Sequence, residues 1–97
     1  MELDLEPRHL DEVRRILARH APGARAWAFG SRTAGHAKRF SDLDVALEVE
    51  NGVPIETLAR LRDAFSESDL PIKVDVVDWN ALDPEFRSAI MPRRVPL

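Results

Sequence analysis

The chain has 97 residues, with 14 Lys or Arg, 17 Asp or Glu, a formal net charge of −3 and a pI of about 5.6. This is room for one hydrophobic core and one domain over residues 1–97, and the acidic balance argues against a long nucleic acid as substrate, whose grip needs a basic face. A hydrophobic fraction of 44% beside 32% charged residues excludes a disordered or fibrous chain, and no apolar run approaches the roughly 18 residues of a membrane span.

Residues 8–20 read as an amphipathic helix. Leu10, Val13, Ile16 and Leu17 recur at three- and four-residue spacing, Pro7 suits the first turn, and Ala21-Pro22-Gly23 closes it. Arg25 to Phe29 is a short strand cut by Gly30, followed over 31–41 by a loop with a helical turn. Leu43 to Val49 is a second strand that leaves through Asn51-Gly52. Pro54 to about Ser66 is a second helix, with Ile55, Leu58, Leu61 and Phe65 on its expected buried face. Ile72 to Val77 is a third strand. Asp83-Pro84 opens a last helix from Glu85 to about Met91, and the tail Arg93–Leu97 adds an edge strand or contacts a partner. The order α-β-α-β-α-β-α predicts an α+β fold with α/β-like alternation, a small sheet flanked by helices.

Two strands carry acids where a core strand should be apolar. Asp42 and Asp44 share a face, roughly 6.5–7 Å apart at the backbone, and repel each other unless a cation sits between them. Asp75 interrupts the β-branched run Lys73-Val74-Asp75-Val76-Val77. If the second and third strands are neighbours, three carboxylates form an oxygen-only site suited to Mg²⁺. Two such ions about 3.5–4 Å apart can activate a hydroxyl and neutralise a leaving pyrophosphate. Taken singly, each Asp also fits a cap, a turn or a solvent-facing edge strand.

Gly30-Ser31 directly follows a strand. The Gly permits close backbone approach to a ligand, and the Ser offers N–H and hydroxyl donors to a phosphate. Arg32, Lys38 and Arg39 follow and can pair with triphosphate oxygens, although a plain turn with solvated basic residues has the same sequence. His9 and His20 stand at opposite ends of one helix, about 16 Å apart, too far to share a metal. His36 lies in the phosphate-side loop. Trp27 reads as core, and Trp79 as core, base-stacking or interface.

Gly30-Ser31, ten intervening residues, then Asp42-Leu43-Asp44 resembles the signature of the DNA polymerase β-type nucleotidyltransferase superfamily. The wording GSRTAGHAKRFSDLDVAL, with LPIKVDVVDW later, is closest to its minimal nucleotidyltransferase (MNT) group. The resemblance implies a mixed sheet, Asp42 and Asp44 on both Mg²⁺ ions, and Asp75 completing one metal site and helping to deprotonate the acceptor hydroxyl. It also implies that Gly30 and Ser31 hold the triphosphate of ATP, with Arg32 and Arg39 as further candidate nucleotide ligands. Larger members carry a second, acceptor-binding domain, so the acceptor platform is expected from another polypeptide or a second copy.

MNT proteins pair with small helical HEPN proteins, RNase-type toxins. The reaction that the resemblance implies is AMP transfer from ATP to a tyrosine of such a partner, which makes this chain its antitoxin. Two other readings stand beside it: a nucleotidyltransferase for a small acceptor such as an aminoglycoside, completed by a partner chain, and a non-catalytic subunit that caps a toxin by contact. With no cysteine for disulfides or thiolate sites, and an acidic Met1-Glu2-Leu3-Asp4 start unlike a signal peptide, the expected compartment is the cytoplasm.

Overall fold

The computed structural model describes residues 3–35 and 37–97. Met1, Glu2 and the loop histidine His36 lie outside the described residues. The elements are α1 (Pro7–His20), β1 (Arg25–Phe29), α2 (Ser31–Ala34), β2 (Leu43–Glu48), α3 (Ile55–Ser66), β3 (Val74–Asp78), α4 (Pro84–Ile90) and β4 (Val95–Pro96). Short 3₁₀ turns, Trp79–Ala81 and Met91–Arg93, flank α4.

The four strands form one sheet in the order β3-β2-β1-β4. β1 runs antiparallel to β2 and to β4, and β2 runs parallel to β3, so the sheet is mixed. A parallel neighbour cannot be reached by a tight turn, and α3 supplies the crossover from β2 to β3. The expected α+β alternation is present, and the tail adds a fourth strand, with Ala28 opposite Val95.

Strand periodicity divides the sheet into two faces. Ala28, Leu43, Val45, Leu47, Val74 and Val76 point to one side and pack with Val13, Ile16 and Leu17 of α1 and Leu61 and Phe65 of α3. Leu43, Val45, Leu61 and Val76 are wholly buried there. The opposite face has a smaller cluster of Phe29, Ala46 and Trp79, partly covered by Val77, Leu82 and Ile90.

Three expectations change in detail. Ile55 is 81% exposed rather than part of the buried face. At about 100° per residue it sits roughly 120° around α3 from Leu61, beyond the stripe that meets the sheet. The third strand runs Val74–Asp78 instead of Ile72–Val77, because its Cα pairing with β2 starts at Leu43 and Val74. Trp27 lies on the less covered face, half-buried, with its indole N–H donating to Glu48 at 2.9 Å. The last helix begins as its sequence predicts: the Asp83 carboxylate accepts from the Glu85 N–H at 2.8 Å, with Pro84 in the first turn.

Candidate active site

The alternation that sends Leu43, Val45 and Leu47 to the helices turns Asp44, Ala46 and Glu48 to the other face. Across the parallel ladder Asp44 is registered on Asp75, and across the antiparallel one on Phe29. Adjacent strands are about 4.8 Å apart, so two carboxylates stand side by side with Asp42 two residues along the same face. Burial first, then the charges of Asp75 and Asp42, hold the Asp44 carboxyl above the ordinary carboxylate range. Among the described residues no cation forms an ion pair with any of the three.

Asp78, also on β3, behaves differently. Its carboxylate accepts from the N–H groups of Val53 and Asn80, both at 3.0 Å, and so pins the turn after β2. That aspartate is satisfied by the fold. Asp42, Asp44 and Asp75 accept no hydrogen bond of this kind among the described residues, which leaves their oxygens free for something else.

Gly30 holds the turn between β1 and α2 at φ 84° and ψ −152°, a conformation essentially confined to glycine. A Cβ there would fall on Oδ2 of Asp44. The backbone of the Gly30-Ser31 turn is therefore packed directly against the acidic cluster. Thr33 fastens the turn, its N–H and hydroxyl both donating to the Gly30 carbonyl at 3.1 and 3.0 Å. A cleft of about 510 Å³ opens beside the turn, with Ser31 and Thr33 on one wall and Ala89, Ile90 and Arg93 on the other.

Arg32 and Arg39 part company. Arg39 is exposed, its guanidinium 5.2 Å from the ring centroid of the exposed Phe40. Arg32 is only 7% exposed, and its guanidinium gathers backbone carbonyls. It donates to Asp4 at 2.8 Å, to Ser41 at 3.1 and 2.9 Å, and more weakly to Arg39 at 3.3 Å and Lys38 at 3.5 Å. Its donors are thus spent on the N-terminal segment and on the loop that delivers Asp42. The half-buried group missed by sequence reading is Arg94, whose guanidinium sits 3.7 Å from the Trp27 ring and 4.5 Å from the Trp79 ring. Only a chain reversal brings these residues together, so no local pattern announces them.

The donor set fits a hard divalent cation in kind: three carboxylates, all oxygen, on one face and without a protein cation beside them. As the side chains stand, no group of three or more acidic or histidine residues among those described converges on a point that could hold a metal. The backbone register nevertheless brings Asp44 and Asp75 alongside each other.

Residues 11–97 match the family model described as polymerase beta, nucleotidyltransferase. A Haemophilus influenzae protein named as a probable protein adenylyltransferase, MntA, is 46% identical over 91 residues, covering 92% of this chain and 78% of that protein. A solved structure of a minimal nucleotidyltransferase has a TM-score of 0.69 at 35% identity, covering 93% of this chain and 89% of the other. A toxin–antitoxin crystal structure with AMP-PNP has a TM-score of 0.73, covering 89% of this chain and 69% of the other; at 21% identity this likeness is one of fold. The chain belongs to the polymerase β nucleotidyltransferase family, and it is a nucleotidyltransferase.

Proposed function

We propose that this nucleotidyltransferase moves AMP from ATP to a tyrosine hydroxyl of a helical HEPN-type partner, acting as the antitoxin that silences it, with residues 1–97 as one catalytic domain working in the cytoplasm. The observation that carries the reading is the registry of Asp44 on Asp75, with Gly30 packed against the Asp44 carboxylate. It supports the reading because an acidic cluster and a glycine turn able to approach a phosphate closely lie together. Support for the protein acceptor comes from the relative named for protein adenylyltransferase activity, and for the partner from the toxin–antitoxin complex of like fold.

In this mechanism Asp42, Asp44 and Asp75 would hold Mg²⁺, two ions in the full site. The chemistry such ions would supply is acidification of the acceptor hydroxyl and neutralisation of charge on the departing pyrophosphate. The residues of the chain do the rest. The Gly30-Ser31 turn donates to phosphate oxygens and orients the triphosphate. The tyrosine oxygen forms a bond to the α-phosphorus, and the bond from that phosphorus to the bridging oxygen of the leaving pyrophosphate breaks. The tyrosine proton passes to the Asp75 carboxylate, which stands at the exposed rim of the cluster. Arg32 acts from a distance by fixing the loop before Asp42.

The test is incubation of the purified chain with its helical partner, Mg²⁺ and each nucleoside triphosphate, followed by intact-mass measurement and site mapping. This chain contains no tyrosine, so any tyrosine-linked AMP must lie on the partner. A gain of one or more AMP units there is expected with ATP. No gain with any triphosphate, while the Asp42→Ala/Asp44→Ala variant still silences the partner, would show a capping subunit instead.

A further inference from the structure

The C-terminal segment carries Arg93 and Arg94 side by side, and the fold gives them opposite surroundings. Arg94 points inward. Its guanidinium lies between the rings of Trp27, on β1, and Trp79, just after β3. Its backbone N–H donates to the Ile90 carbonyl at 3.0 Å. Nη1 is buried without a hydrogen bond, 3.9 Å from the Glu48 carboxylate that already accepts from Trp27. A cation sandwiched between two indoles, with a carboxylate at its side, is a strong and directional anchor. It ties the turn after α4 to both strands that bracket β2.

Arg93 is exposed and lines the cleft beside the Gly30-Ser31 turn. It is the single charged side chain among the described residues lining that cleft. Opposite it stand Ser31 and Thr33, with Phe29 and Ile90 contributing apolar surface. Gly30 belongs both to this cleft and to the packing against Asp44, so the cleft adjoins the acidic cluster. A cluster of carboxylates repels a polyphosphate, and a guanidinium lining the cleft beside the Gly30-Ser31 turn offsets that repulsion.

We propose that Arg93 and Arg94 form a two-part nucleotide-binding device, in which Arg94 anchors the C-terminal segment between two tryptophans and Arg93, so held, pairs with the non-reacting phosphates of the nucleotide across from Ser31. The device rests on the nucleotide-transfer reading and extends it to residues outside the glycine-serine and aspartate signature. Arg93 contacts the ligand. Arg94 is a positioning residue that acts through it.

Equilibrium binding, measured by calorimetry with Mg²⁺ present, tests this with three probes: a non-hydrolysable ATP analogue, inorganic tripolyphosphate and adenosine. Arg93→Ala is expected to weaken the analogue and tripolyphosphate each by about tenfold, the scale of one charge-assisted contact, and to leave adenosine unchanged. Its intrinsic fluorescence stays that of the wild type. Arg94→Lys is expected to alter tryptophan emission, since Trp27 and Trp79 are the two tryptophans of the chain, and to weaken tripolyphosphate by a smaller factor. The double variant should bind no more weakly than Arg93→Ala alone, because one residue works through the other. Unchanged tripolyphosphate binding in Arg93→Ala, with the wild type binding the ATP analogue, would overturn the device and leave the transfer reading standing. Loss of adenosine rather than tripolyphosphate binding would assign the cleft to the base and likewise overturn it. A wild type that binds none of the probes would remove both.

Discussion

The two faces of the sheet are built from the same strands and obey opposite rules. On the helix-covered face, Leu43, Val45 and Leu47 of β2 are almost fully buried and meet α1 and α3. On the other, Asp44 and Glu48 alternate with them, Asp75 is exposed, and the apolar cover is limited to the Phe29, Ala46 and Trp79 cluster. One face supplies stability by removing apolar area from water. The other keeps like charges together at a cost in stability, the pattern of a face kept for function and not for folding. A six-residue strand thus carries core and candidate active site on alternate side chains, and rigidity on one side sets the geometry on the other.

The sharpest way to break this division is to remove the charges. Asp42→Ala/Asp44→Ala should lower AMP transfer by on the order of 10³-fold or more, since it deletes the electrostatic stabilisation on which such transfer rests. Its thermal midpoint should stay at or above that of the wild type. A lower midpoint would mean that the acids are structural.

Leu61→Ala attacks the other face and should cost about 2–5 kcal/mol in a denaturant melt, by lost transfer energy and a cavity. Transfer activity per folded molecule should be nearly unaffected at low temperature.

Gly30→Ala lies where the faces meet. It forces a side chain into a glycine-only conformation and onto Asp44, for a destabilisation of about 1–3 kcal/mol together with a strong loss of transfer. Equal activity in this variant would show that the turn is not pressed against the acidic cluster in solution.

Arg32→Lys replaces five planar donors with one ammonium and should loosen residues 38–41, seen as faster amide exchange there, with a modest fall in turnover. Exchange unchanged over that loop would refute its role as a clamp.

The smallest effect is one of pH. The folded pKa of Asp44 is raised, so the metal-free fold binds that proton more tightly than the unfolded chain does. The resulting penalty is full at neutral pH and is relieved as pH falls through the raised value toward the ordinary carboxylate one. Asp44→Asn should therefore flatten the metal-free stability profile in that window, and Mg²⁺ should stabilise the wild type more than this variant.

Much of the candidate site was legible in the sequence because its elements are local. Gly30-Ser31 needs only a strand before it and a turn after it, and Asp42-Leu43-Asp44 needs only the two-residue period of a strand. The helices were legible through Val13, Ile16, Leu17, Leu61 and Phe65, whose spacing survives any tertiary arrangement. Ile55 was misread because steps of three residues drift around a helix: two of them leave it roughly 120° from Leu61, beyond the stripe that meets the sheet. Arg32 read as a phosphate ligand by its position in the motif, yet its long side chain reaches carbonyls six to nine residues onward and back to Asp4, a choice that local order cannot encode.

By itself the sequence determined the alternation of elements, the candidate acidic residues and the family to which the chain belongs. Periodicity, turn chemistry and a spaced motif are properties of neighbouring residues, and those survive without coordinates. Only the tertiary structure decided that β2 and β3 are parallel neighbours in a register that brings Asp44 beside Asp75, while Asp78 is spent on a turn. It alone decided that the tail returns as β4, seating Arg94 between Trp27 and Trp79. Both are pairings between distant segments, and they are fixed by which faces must be buried together, a condition that no single stretch of chain contains.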